Sequence, residues 1–102
     1  MDFKSMKTRL MLAEISALVS QIGALVGEME DDKSISAISV QIEPHRYGTP
    51  SVDISCMSGL LKTFPKEGSI VKRNSEEYPT EYEVVFAGMR LFELQKKEEG
   101  KE

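Results

Sequence analysis

Residues 10–27 read LMLAEISALVSQIGALVG, and the nature of this run decides the fold. Only Glu14 and Gln21 are strongly polar within it. Its length approaches the roughly 20 apolar residues that a membrane-spanning helix needs. Lys4, Lys7 and Arg9 precede it, and Glu28, Glu30, Asp31 and Asp32 follow. Against a span stand the carboxylate, the amide, Ser16, Ser20, Gly23 and Gly27 inside the run. The acidic flank also lacks the small-residue cleavage site of a signal peptide. The spacing favours a soluble helix. Met11, Ile15, Leu18, Ile22, Leu25 and Met29 recur at alternating steps of four and three, the pattern of a heptad seam. Leu12, Val19 and Val26 widen this stripe to a width that suits packing on a sheet.

The other side of the helix is unusual. It carries Ala13, Ser16, Ala17, Ser20, Gly23, Ala24 and Gly27, where a solvated face would carry Lys and Glu. A helix with so little polar surface is normally buried on both sides. We therefore expect the stripe to face a sheet and the small residues to face a second copy of the chain, in a dimer or larger assembly. The charge order opposes the helix dipole, at typically 0.3–1 kcal/mol per site. Packing, or complementary charges on another chain, must offset this.

Beyond the helix the hydrophobic period changes to two. Ile38, Val40 and Ile42 alternate with polar residues, as do Val52, Ile54 and Cys56. Both runs predict half-buried strands, joined by the loop PHRYGTP at 44–50. Leu60, Leu61 and Phe64 have helical spacing and stop at Pro65, which predicts a short helix. A short strand follows at 70–73, then a polar loop at 74–79. Tyr82, Val84 and Phe86, with the apolar run 89–94 after Gly88, predict a hairpin. The sum is an α+β domain over residues 1–95, in the order α-β-β-α-β-β-β. Its long N-terminal helix packs on an antiparallel sheet of about five strands. The charged residues 96–102 read as a disordered tail.

Composition sets the outer limits. The chain has 102 residues, 29% charged and 40% apolar, with a net charge of −4. This is one ordinary globular domain. One cysteine cannot form an internal disulfide, which excludes a stapled secreted mini-domain.

The sequence declares no reaction. His45 is the only histidine, and a general base needs a partner at hydrogen-bond distance. Cys56 shares its parity with Val52 and Ile54, so we expect it in the core as an inert small hydrophobe. Glu43, His45 and Asp53 lie around the mouth of one hairpin, where a solvated loop is the ordinary outcome. No metal-ligand spacing and no glycine-rich phosphate loop occurs. We expect no enzyme, no metal and no cofactor. The basic spots Arg46 with Tyr47 and Lys72 with Arg73 each have acids nearby, unlike the basic stripe of a nucleic-acid reader. The polar loops carry the candidate partner-binding residues: His45, Arg46, Tyr47, Glu76, Glu77 and Tyr78.

A resemblance adds to this reading. VDIS at 52–55, LLKTFP at 60–65 and SEEYPTEYEVVFAGMRLFEL at 75–94 resemble small accessory proteins of phages and prophages of Gram-positive bacteria. In those proteins a hydrophobic strand leads to a short helix ending in Phe-Pro. A Tyr-Pro then precedes a hairpin, here Tyr78 and Pro79 before Gly88 and Phe92. The resemblance covers residues 52–94 and supplies no catalytic residues. It implies a cytoplasmic protein of an infected or lysogenic host that binds a host or defence protein, an anti-CRISPR inhibitor being one example. A nucleic-acid-associated regulator is the alternative.

Overall fold

A computed structural model describes residues 2–97. It shows an α+β fold in the expected order. Helix α1 spans Phe3–Asp31 and strand β1 spans Ser36–Glu43. Then come β2 at Ser51–Ser58, the short helix α2 at Leu60–Thr63 and β3 at Ser69–Lys72. Strands β4, Thr80–Phe86, and β5, Met89–Gln95, complete the order. Part of the expected tail, residues 98–102, lies outside the described residues.

The sheet order is β1-β2-β5-β4-β3. Here the structure corrects one expectation: the sheet is mixed. β5 lies between β4 and β2 and runs parallel to β2, with Ile54 opposite Leu91. The path through α2 carries the chain from β2 to the far edge. The β3–β4–β5 meander then returns it to the middle. Leu91 is buried, and Met89 packs against the core. β5 thus supplies the apolar side chains that a central strand requires.

Ile35, Cys56, Leu60, Tyr82, Val84 and Leu91 form the buried core. Tyr82 fixes the crossover. Its hydroxyl donates to the Phe64 carbonyl and accepts from the Gly68 amide at 3.0 Å. Gly68 lies so close that an added Cβ would come within 2.2 Å of the Tyr82 ring. At the start of α2, Gly59 has φ 91°, and an added Cβ would lie 1.9 Å from the Ser34 carbonyl oxygen. Glycine is required there by both conformation and space.

α1 starts at an Asp2 cap, whose carboxylate accepts from the Ser5 amide at 2.8 Å. This bond holds the Asp2 carboxyl below its usual range. The helix ends in a Schellman motif. Ser34 N–H donates to the Met29 carbonyl at 3.1 Å, and Lys33 N–H to that of Glu30 at 2.9 Å. Lys33 takes the left-handed conformation, φ 57°, that this motif normally gives to glycine.

The packing of α1 is the second correction. The apolar stripe was expected to lie on the sheet. In the structure, half-burial is confined to Ile22, Val26, Gly27 and Met29, where the helix meets β1. Length accounts for part of this and splay for the rest: β1 could cover about the last 18 residues of α1, yet half-burial begins only at Ile22, so the helix also leaves the sheet. A helix of 29 residues runs about 43 Å. The strand that turns back beside it has 8 residues and covers about 27 Å. The N-terminal part of α1 therefore projects, and the molecule measures 66 × 30 × 23 Å.

Tyr82→Phe is expected to cost about 1–3 kcal/mol, because it removes a hydroxyl that both donates and accepts under partial burial. Lys33→Gly is expected to add about 1 kcal/mol by relieving the left-handed residue. Urea titration of each variant checks both.

Candidate functional site

The alternation along the strands sorts the sheet into two unlike faces. One face carries the core. α2 covers the part of it around Cys56 and Leu60. The part nearer the β1–β2 loop is open. There Val40, Ile42, Val52, Ile54 and Phe86 face Ile22, Leu25, Val26 and Met29 of α1 across a trough of about 510 Å³. Ser34 and Thr63 are the only polar residues among those lining it.

The trough continues onto the projecting helix. Phe3 is 79% exposed, Leu10 69% and Leu25 61%, and Met11, Leu12, Ile15, Leu18 and Val19 are exposed with them. By length and composition α1 is also long and apolar enough to cross a membrane. The expected oligomer-interface residues Ala13, Ser16, Ala17, Ser20, Gly23 and Ala24 are exposed too, and Gly27 is half-buried. A Cβ added at Gly23 or Gly27 would meet nothing, so neither glycine serves a close approach within the chain.

This exposure is large for the chain. Its surface is 8482 Å². A compact monomer of 11.4 kDa would expose about 5,800 Å². The excess is about 2,700 Å² by the same relation. The radius of gyration is 17.7 Å, against about 13 Å for a compact chain of this length.

The opposite face is polar and organised by Arg90. Its guanidinium donates to Glu81 at 2.6 Å and to Glu83 at 2.8 Å. Asp53 lies 3.9 Å away, and the ring of Phe92 lies under the cation at 4.3 Å. Glu81 also pairs with Arg73 at 3.7 Å. The sequence reading missed this hub. The hairpin register places Val85 opposite Arg90 and Glu83 opposite Phe92, so alternation from the Gly88 turn brings Glu81, Glu83, Arg90 and Phe92 onto one face. The approach of Asp53 depends on the parallel β2–β5 pairing, which no local pattern signals. The cluster pairs two guanidinium groups with three carboxylates, and we assign it to cohesion of the sheet.

The loop candidates do not converge. His45, Arg46 and Tyr47 lie in the β1–β2 loop, while Glu76, Glu77 and Tyr78 lie between β3 and β4, at the other end and the other edge of the sheet. Tyr47 is 91% exposed, with the Arg46 guanidinium 5.5 Å from its ring centre. His45 Nε2 and Ser51 Oγ share a hydrogen bond of 2.7 Å. Glu43 and Asp53 line a neighbouring polar surface with Ser51. Neither carboxylate is among the hydrogen-bond partners of the ring. A serine–histidine pair needs an orienting third group and an oxyanion site to act as a nucleophile, and this exposed pair closes the loop instead. Glu76 and Glu77 are exposed. Tyr78 is half-buried, its carbonyl accepting from Arg73 at 3.3 Å.

Cys56 is in the core at 2% exposure, as its parity required. Burial, with a smaller effect of the Glu93 charge, pushes its thiol up to about 11. Among the described residues no group of His, Cys, Asp and Glu is arranged to hold a metal ion. Comparison with known proteins finds no matching family model, no matching curated protein and no matching solved structure.

The folded chain holds the Cys56 proton more tightly than an ordinary thiol of pKa 9.0 does. The stability this contributes is complete below about pH 9 and is lost as pH rises towards about 11. Iodoacetamide is expected to modify native Cys56 far more slowly at pH 8 than the unfolded chain, as mass spectrometry would show. A similar rate in both states would place the thiol outside the core.

Proposed function

We propose that this chain is a non-enzymatic protein-binding module, of the accessory kind that phages and prophages carry, and that it inhibits a host or anti-phage defence protein in the cytoplasm. In this reading it self-associates through α1 and meets its target through the β1–β2 loop. One observation carries it: a continuous apolar surface along α1 and the trough, far larger than a monomer in water leaves uncovered. The carboxylate and amide inside the helical run, Glu14 and Gln21, support a protein partner over lipid for this surface.

The loop supplies the second element. Tyr and Arg are the side chains most enriched among residues that dominate binding energy, and Arg46 sits beside a fully displayed Tyr47. The same pair is what favours the competing reading, a nucleic-acid-associated regulator. Against that reading stand a sequence pI of 5.1 and the nearby Glu43.

Immobilised protein in host lysate is expected to capture one protein in a fixed ratio. Tyr47→Ala should weaken that capture about tenfold or more, the loss typical of an exposed aromatic anchor. Capture of no protein would overturn the reading. Retention of duplex or single-stranded nucleic acid on filters at low salt would transfer support to the regulator.

A further inference from the structure

We propose that the occupant of the trough is the N-terminal half of α1 from a second copy of the chain, the two helices running antiparallel. This rests on the self-association named above and gives it a geometry.

The amount of surface fits. An excess of about 2,700 Å² over the whole chain leaves ample room for the roughly 800 Å² per partner of a standard interface. The position of that surface selects the arrangement. The trough lies beside the C-terminal half of α1, against the body of the molecule. The projecting apolar half lies at the other end of the same helix. An antiparallel pair lays each projecting half on its partner's body, so both troughs fill at once by one two-fold axis. A parallel pair would set both bodies at one end. The projecting halves would then meet only each other, and both troughs would stay open.

Charge selects the same direction. Lys4, Lys7 and Arg9 stand at the start of α1 and Glu28, Glu30, Asp31 and Asp32 at its end and just beyond. Asp2 caps the start and Lys33 follows the end, but no acid lies in the first turn and no base in the last, so the charges within the helix oppose the dipole. In an antiparallel pair each basic start meets an acidic end. A parallel pair would stack bases on bases and acids on acids. The finer pattern agrees. Lys7, Glu14, Gln21 and Glu28 recur at seven-residue steps along one flank of the seam. Antiparallel seams bring such a flank beside its own counterpart, Lys7 near Glu28 of the partner subunit and Glu14 near the partner subunit's Gln21. The other flank, Leu12, Val19 and Val26, then meets apolar residues. A parallel pair would set the charged flank against the apolar one. The small residues Ser16 and Ser20 fall on the far side, away from this interface, while Gly23 borders β1 beside Val19 and Val26.

Sedimentation of the full chain without lipid is expected to give a dimer whose dissociation constant rises with salt. Leu18→Glu should weaken it by about 100-fold or more, the loss of two apolar burials per dimer, with the circular-dichroism spectrum retained. Ser20→Lys should leave it unchanged. A mixture of K7C chains with E28C chains should be cross-linked by a short bis-maleimide, while K7C alone should not. Cross-linking of K7C alone would overturn the antiparallel direction. A dimer lost with Ser20→Lys but kept with Leu18→Glu would overturn the choice of face. A monomer at micromolar concentration would overturn the pairing, and would leave the protein-binding reading standing if the lysate partner is still captured. A monomer that floats with phosphatidylcholine vesicles would overturn it in favour of a membrane.

Discussion

The controlling constraint is that α1 is longer than the strand that returns beside it. A helix of about 43 Å cannot be covered by a neighbouring strand of about 27 Å, whatever side chains it carries. Isolated helices gain little from propensity alone, and most helical stability comes from packing of an apolar face. The projecting half has such a face but nothing of its own chain against it. The elongated shape follows from this mismatch, while the open trough, beside the C-terminal half of α1, comes from the helix leaving the sheet. The core of six residues is correspondingly small, because the most apolar element contributes so little to it.

Within the body, polar atoms do what bulk burial does not. The Tyr82 hydroxyl joins β4 to the segment after α2. Glu93 on β5 accepts from the Leu60 amide at 3.1 Å, fixing the other end of α2. On the reverse face Arg90 draws together carboxylates from β2 and β4. The Glu93 and Arg90 contacts tie α2 and β2, distant in sequence, to the central β5, and the Tyr82 contacts tie the crossover to β4. They explain how a mixed sheet holds its order with few fully buried side chains.

Much of the fold was legible because period and punctuation are local. The heptad spacing from Met11 to Met29, the alternation in Val52–Ile54–Cys56 and the Pro65 stop each appear as the element the pattern implies. The inward parity of Cys56 followed from its neighbours. The direction of β5 against β2 did not, since the pairing of Ile54 with Leu91 across 36 intervening residues leaves no local mark. The extent of helix packing was misjudged for a similar reason. A stripe shows which side is apolar, not whether its own chain is long enough to cover it. At the loops, sequence picked out His45 but not Ser51 as its partner, because that contact depends on how the hairpin closes. It also grouped residues of two loops that the topology places at opposite ends of the sheet.

The irregularity in β1 has a separate meaning. Between Ser36 and Ser39 the pairing with β2 is irregular: Met57 is passed over on β2 and Ile38 on the edge strand, after which the original register resumes. An irregularity of this kind twists an edge and breaks the regular row of amide and carbonyl groups that another strand would need. The opposite edge is only 4 residues long and ends in Lys72. Neither border of the sheet is therefore a good template for strand addition. Growth by edge-to-edge stacking, which has no natural end, is discouraged on both sides. Association is left to the helical surface, where a two-fold contact consumes its own binding sites and stops. A chain with this much uncovered apolar area can then form a finite complex and not a fibre.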